Sequence, residues 1–461
     1  MRFVIIPNSY LPGTLSSKDR RKKRISAPAK GRKYKWPDVV EEPVPADAQV
    51  SKWSGSVQLL DKRKDSCIYA MVYRASYPKN KTRNSRPRVV DRQKNKMVGV
   101  WDDFFDNYWD GTGMARIQVF RDGTVKVLSD SVTRNGDKLE DSRLVSWNKQ
   151  LYIQYTDLFT GWEAEHHDVP NVTAATAKRC DWGSGKHCFT LGLVPVKLTK
   201  AGFKATGPAK LACQNVTTGT EKNWAFVQSD SKTEMMFQYS MSPLKFLKSK
   251  PNAQGLPVSC GAVNPANSDF FTRLHRYVGK DVIPPAAISG IACTSPLISY
   301  DKDHWIGAGH HKVSYKYYDP KSRKNIHQFI GTVGQRLGIS GVYSNDWFKY
   351  HPSIHPGYLY CMFFYTINKK TLQLGRISNG FLPQSPEVGY FSTIFFPMGI
   401  QPFLGTSFMI SMGVSDTDCG ALIMKKSEID AMLKHSNKSH PKDYGFEVLD
   451  VTNPLPGFTT A

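Results

Sequence analysis

Short apolar and aromatic runs recur along this chain from about residue 52, each broken by turn-forming residues. They include Cys67–Arg74, Ala115–Phe120, Thr124–Leu128, Leu144–Trp147, Leu151–Thr156 and Glu234–Ser240. Further along come Trp305–His310, Tyr358–Ile367, Leu372–Ile377 and Phe408–Gly413. Each has strand length, is rich in β-branched and aromatic residues, and is flanked by Gly, Asn, Asp or Pro. Asp122-Gly123 between two such runs is a hairpin signal, because that dipeptide tolerates the left-handed backbone of a tight turn. Helical periodicity is nearly confined to Lys426–Lys434, near the end of the sequence. So many short strands predict an all-β protein, either a propeller or two sandwiches. Periodicity does not choose between them.

The texture divides the chain into three parts. Residues 1–51 read as a basic, Pro-containing arm, 52–435 as the strand-rich body and 436–461 as a polar tail. Within the body, residues 319–357 read as an insertion, with a short helix over 325–337. Lys plus Arg exceed Asp plus Glu by 23. Ten of the basic residues fall between Lys18 and Lys35, with Asp19 as the one acid there. The body stays basic without that run, so an anionic partner is expected: a phosphorylated sugar, an acidic glycan, nucleic acid or a membrane face. The arm suits a solvated tail, a nucleic-acid arm or, through Arg20–Arg24, a nuclear localisation signal.

Eight cysteines are scattered without a C-x-x-C pair, which leaves no zinc-ribbon or thioredoxin signature. His166, His167, Cys180, His187 and Cys188 match no standard zinc spacing, and no metal is expected. The apolar run at Phe3–Pro7 is too short for a signal-peptide core, and no stretch reaches the length of a membrane span. The expectation is a cytoplasmic protein in a reducing compartment. Asn171-Val172-Thr173 and Asn215-Val216-Thr217 would accept glycans only in a secreted chain.

Four segments combine residue types that suit a polyol site. Glu140-Asp141-Ser142-Arg143 precedes the Leu144–Trp147 and Leu151–Thr156 strands. Glu221-Lys222-Asn223-Trp224 precedes a strand that ends at Tyr239-Ser240. Cys293–Ile298 precedes Trp305–His310, which closes on His310, His311 and Lys312. Phe396-Pro397-Met398-Gly399 precedes a strand that runs out at Asp416. Carboxylates and amides bind hydroxyls, neutral histidine donates one hydrogen bond, and arginine or lysine takes phosphate. Taken singly, each segment is equally a surface turn.

In this order the four segments resemble the five-bladed propellers of the β-mannoside phosphorylases, the β-mannosidases and their mannosyltransferase relatives. That family carries E-D-P-R before a Y-x-x-Y-T strand, and Glu140–Arg143 with Tyr152–Thr156 is similar, with Ser142 in place of proline. Its K-D or K-N segment before an aromatic strand is similar to Lys222-Asn223-Trp224 with Tyr239-Ser240. Its G-x-P-x-I strand, W-L-x-x-x-H strand and tyrosine are similar to Thr294–Ile298, Trp305–His310 and Tyr317. Its F-P-x-G and Y-G-x-x-D segments are similar to Phe396–Gly399 and Met412–Asp416, and a Y-R strand end to Tyr73-Arg74. The likeness runs over residues 52–430 as scattered short motifs.

The resemblance implies five blades, with ligands at the central mouth. It implies a general acid where this chain has Asn223, and an amide does not titrate in the usable range. Glu221 or Asp141 would then supply the acid or base, or a phosphate leaving group would need little acid help. On this reading Arg74, Arg143 and Lys312 are phosphate contacts. Asp141, Asn223, His310 and Asp416 hold sugar hydroxyls, with Lys222 and Tyr239 beside them. No cofactor is expected beyond inorganic phosphate or a sugar-phosphate donor. The alternatives are a non-catalytic glycan-binding propeller and a nucleic-acid-binding protein that uses the basic arm.

Overall fold

The chain folds back and forth in antiparallel strands that group by sequence order into five sheets. The structure is a computed structural model that describes residues 2–6, 9–10, 49–78, 89–91, 96–98, 108–133, 139–159, 188–199, 202–206, 210–213, 223–251, 257–265, 288–314, 358–378, 395–414 and 418–434. Blade I holds β3 (Gln49–Lys62), β4 (Ser66–Pro78), β7 (Tyr108–Phe120) and β8 (Val125–Thr133), with β2 (Ser9–Tyr10) added beside β3. A separate hairpin, β5 (Val89–Asp91) and β6 (Lys96–Val98), branches between β4 and β7. Blade II holds β9 (Leu139–Trp147), β10 (Gln150–Phe159), β11 (Cys188–Thr199) and β12 (Gly202–Ala205), with β13 (Lys210–Leu211) also paired to β11.

Blade III holds β14 (Ala225–Val227), β15 (Met235–Met241), β16 (Leu244–Pro251) and β17 (Pro257–Val263). In blade IV the inner position is split between β18 (Ile288–Cys293) and β19 (Ile298–Ser299), followed by β20 (His304–Ser314), β21 (Tyr358–Asn368) and β22 (Leu374–Ile377). Blade V holds β23 (Phe395–Pro402), β24 (Ser407–Val414) and β25 (Asp418–Lys425). Its outermost strand is β1 (Arg2–Ile5), from the other end of the chain, paired Arg2↔Ile423 through Ile5↔Gly420. The fold is a five-bladed β-propeller with one short helix, α1 (Lys426–Lys434), after the last blade.

Packing between blades explains the sequence texture. On β4, Cys67, Tyr69, Met71, Tyr73 and Ala75 face blade V, against Val4, Met409, Cys419 and Ala421. The alternate residues Ala70 and Val72 face blade II, against Leu144, Ile153 and Val194. Both faces of such a strand are buried, so it reads as a continuous apolar run. Trp147, Leu193, Trp224, Phe226 and Phe237 join blades II and III, and Phe246, Leu297, Phe363 and Tyr365 join III and IV. The Asp122-Gly123 turn forms as expected, with Gly123 at φ 87° and the Asp122 carboxylate accepting from the Thr124 N–H.

The structure redraws the boundary placed at residue 51. Arg2–Ile6 belongs to the propeller, because Arg2–Ile5 adds the outermost strand of the fifth blade and Val4 and Ile6 are buried there. Tyr10 pairs with Gln49, so the described residues at the two ends of the basic stretch lie side by side at the start of β3. That stretch, the expected insertion over 319–357 and the tail from 436 lie outside the described residues. Cys213 and Cys260 are joined in a disulfide, whereas a reducing compartment was expected to leave thiols free. No helix among the described residues is long and apolar enough to cross a membrane.

Candidate functional site

The five inner strands, β3, β9, β14, β18/β19 and β23, run beside one another, and every one is irregular near its N-terminal end. The β3 ladder slips between Trp53 and Ser56, the β9 ladder slips where Gln154 and Thr156 face it, and the β23 ladder slips between Pro397 and Gly399. Blade IV breaks its inner strand at Thr294–Pro296, and β14 starts only after Asn223. Ser54, Asp141 and Asn223 sit there at φ 49°, 51° and 60°. Positive φ costs a non-glycine residue free energy, and such costs gather where side chains must be aimed.

Arg143 is fully buried at this end. Its Nε–H donates to the Thr294 carbonyl, so the side chain reaches from blade II past blade III to blade IV. Its Nη1 donates to the Asp141 carbonyl at 3.1 Å, while Nη2 is buried with no hydrogen-bond partner. No carboxylate among the described residues forms an ion pair with it. Burial pulls the guanidinium below its ordinary pKa, and the nearby Asp141 charge offsets part of that.

Around Arg143 lie further buried polar atoms without partners. They are Asn223 Oδ1, Thr294 Oγ1, Gln154 Oε1 and Gln238 Nε2. Hydrogen bonds tie their residues into one group. The Gln154 Nε2 donates to the Trp224 carbonyl at 2.7 Å, the Cys293 thiol donates to the Asn223 carbonyl at 3.0 Å, and the Tyr365 hydroxyl donates to Gln238 Oε1 at 2.7 Å. All belong to blades II, III and IV. Burial pushes the Cys293 thiol up to about 12, so it stays protonated and able to donate.

The other expected residues fall in several places. Arg74 lies on β4, opposite Trp53 and Thr112, one strand out from the axis. Tyr239 packs edge-on against Trp224, with the Lys245 ammonium over its ring at 4.7 Å. His310 is buried between the Tyr360 and Phe396 rings. Lys312 has its backbone placed on β20, opposite Tyr360, and its side chain lies outside the described residues. Glu221, Lys222 and Asp416 lie outside them too. The structure therefore brings Asp141, Arg143 and Asn223 to one end of the axis, with Arg74, Tyr239 and His310 on neighbouring strands. Among the described residues no cluster of three or more His, Cys, Asp or Glu is arranged to hold a metal.

Gln154, Gln238, Cys293 and Thr294 belong to this group, yet no role was expected for any of them, although Cys293 and Thr294 lie in the third segment. A signal was present. Gln154-Tyr155 and Gln238-Tyr239 repeat the same pair at the same place in two blades, and a glutamine inside an apolar strand needs a partner.

At the opposite end of the inner strands the chemistry differs. Gln58 and Gln401 exchange amide hydrogen bonds at 3.3 Å, and Gln228 donates to Gln58 Oε1 at 3.0 Å. This links blades I, III and V, and leaves none of the three amides among the buried unpartnered atoms.

No protein-family model matches the chain, and no curated protein matches its sequence. Among solved structures it is similar to the β-1,2-mannobiose phosphorylase from Listeria innocua. The TM-score is 0.45 at 10% identity, over 85% of this chain and 95% of that one. It is also similar to a GDP-Man-dependent mannosyltransferase from Leishmania mexicana (TM-score 0.41, 9% identity, 82% and 85% covered). An α-L-arabinofuranosidase from Lactobacillus brevis is similar at a TM-score of 0.34 and 7% identity, over 81% of this chain and 90% of that one. At such scores the likeness concerns the arrangement of strands, and no residue role is taken from it.

Proposed function

We propose that this end of the propeller axis binds a sugar and supports glycosyl transfer or phosphorolysis of the mannoside type. The observation that carries the reading is the group of buried, unpartnered donors and acceptors around Arg143. Arg143 Nη2 and Gln238 Nε2 donate, Asn223 Oδ1 and Gln154 Oε1 accept, and Thr294 Oγ1 does either. Hydroxyl groups each donate and accept, so a polyol satisfies such a set where an apolar ligand leaves it unpaired.

In this reading Arg143 takes the negative charge of a phosphate, inorganic or carried by the donor sugar, with Arg74 and Lys312 as further contacts. Asp141, Asn223, His310 and Asp416 hold hydroxyls, and Lys222 and Tyr239 flank them. Asn223 cannot act as an acid, so protonation of a leaving group falls to Asp141 or Glu221. A phosphate leaving group reduces that need.

The test titrates purified protein with mannose 1-phosphate, a nucleotide-linked mannose and β-mannosides, then assays turnover. Arg143→Ala and Asp416→Asn are expected to lower binding or rate at least tenfold. Unchanged values in both variants would remove the site assignment.

A second reading is a glycan-binding propeller without turnover. It is favoured by one feature: Asp141 is the sole carboxylate among the described side chains of the inner strands at this end. Saturable binding with no product from any donor would decide for it.

A further inference from the structure

Asn223 stands out at this end of the axis because two neighbouring blades hold the backbone that follows its side chain. The carbonyl of Asn223 accepts the Cys293 thiol from blade IV at 3.0 Å. The carbonyl of the next residue, Trp224, accepts Gln154 Nε2 from blade II at 2.7 Å. Neither bond belongs to a sheet ladder. The peptide between the two carbonyls is thus gripped from both sides, just where the chain takes φ 60° before β14. The Trp224 ring, packed edge-on against Phe237 and Tyr239, anchors the segment from the third direction.

From this geometry we infer that Gln154 and Cys293 are positioning residues. Together they hold Asn223 in its left-handed conformation, and so fix where Oδ1 meets a ligand. The inference rests on the reading of this end as a polyol site, in which Asn223 holds a hydroxyl. Two features separate it from ordinary core packing. A left-handed asparagine persists only where its surroundings over-determine it, and here the determining donors come from side chains of the two flanking blades. Gln154 is fully buried and polar in a largely apolar strand, Cys293 is buried with its thiol as its one donor, and each donates to this segment. Gln154 keeps its Oε1 unpartnered even so. A glutamine kept for packing alone would be replaced by leucine or methionine without leaving that oxygen unpaired.

The chemistry of Cys293 fits the role. A neutral thiol is a weak donor, and Arg143 holds the carbonyl of the next residue, Thr294. Serine keeps the donor and alanine removes it. Gln154→Met keeps the volume and removes the amide.

The experiment has two arms. In the first, crystal structures of ligand-free Cys293→Ala, Gln154→Met and the double variant are compared with wild type and Cys293→Ser. The left-handed Asn223 is expected to persist in wild type and Cys293→Ser, and to be lost in the double variant. Retention of positive φ at Asn223 in the double variant overturns the inference; if the double variant does not fold, retention in both single variants does so. In the second arm, mannose 1-phosphate is titrated by calorimetry. Cys293→Ala and Gln154→Met are each expected to weaken binding about tenfold, with Cys293→Ser restored to within about threefold of wild type. An Asn223→Ala variant that binds as well as wild type, or a wild type that does not bind, defeats the sugar-site reading, and the first arm still decides the positioning role. An affinity loss in Asn223→Ala with none in Cys293→Ala or Gln154→Met defeats the positioning role alone.

Discussion

The two ends of the propeller axis are built from the same five inner strands and differ in how their polar groups are used. At the C-terminal ends, Gln58, Gln228 and Gln401 close on one another across three blades. At the N-terminal ends, Arg143, Asn223 and Thr294 each keep a buried polar atom without a partner. A satisfied buried network stiffens a fold, whereas an unsatisfied one costs about 1–3 kcal/mol per group. On the proposed function, the glutamine end serves stability and the arginine end binds the ligand.

Four measurements break or sharpen that division. The largest effect is expected from the Cys213–Cys260 bridge, which closes 47 residues of sequence that include Asn223 and blade III. Its Cys213 side lies near the arginine end, because Ala212 bonds to Leu191, and Leu191 pairs with Thr156 and so with Glu140, while Cys260 pairs with Ser249 and so with Met235, level with the far end of β14. Chain-entropy reasoning puts its loss in Cys213→Ala/Cys260→Ala at about 4 kcal/mol, read by denaturant unfolding. A change below about 1 kcal/mol would show that blade III is held by packing alone.

The next effect is a pH dependence at the same end. His311 on β20 is fully buried, stacked against Phe363, with neither ring nitrogen partnered, and burial pulls its pKa from 6.5 down to about 4. Between those two values the unfolded chain holds a proton that the folded one does not, so stability falls as pH drops from about 6.5 towards about 4. The loss should approach roughly 3 kcal/mol, and His311→Leu should remove that part of the slope.

Arg143→Met comes third. It should cut affinity for a phosphorylated sugar about 100-fold, or about 2.7 kcal/mol, while stability moves by less than about 1.5 kcal/mol, because a buried charge without a counter-ion is replaced by an apolar chain. The smallest effect is the mirror of it. Gln58→Ala should cost about 2 kcal/mol of stability through the amides it leaves unpaired, and leave ligand affinity unchanged. Reversal of these last two outcomes would reverse the assignment of the ends.

Legibility in the sequence followed burial. Middle strands such as β4, β10 and β21 are covered on both faces by neighbouring blades, and their apolar runs stand out. The inner strands that carry the site were harder to see. β14 has three residues and β18/β19 is interrupted, because bulges and breaks there remove the period that marks a strand. Arg2–Ile5 was grouped with the arm because its partner strand lies at the far end of the sequence, beyond any local signal. Arg143, Asp141 and Asn223 were reachable through ordered motifs. The glutamine end was not, since Gln58, Gln228 and Gln401 are far apart in sequence and sit in unremarkable contexts. Cys293 was quoted as the residue before Thr294, and its thiol drew no attention in a run of small side chains.

The pairing of β1 with β25 also sets an order of events during synthesis. Of the two strands Arg2–Ile5 is made first, and its partner Asp418–Lys425 follows only after roughly 400 further residues. At typical elongation rates of about 5–20 residues per second, that wait lasts about 20–80 s. Through that interval Val4 and Ile6 have no fifth blade to cover them, and the first blade lacks its neighbour on one side. The ring can be assembled blade by blade, but it can be closed only once the last strand has left the ribosome, and until then its two open edges are available to other chains.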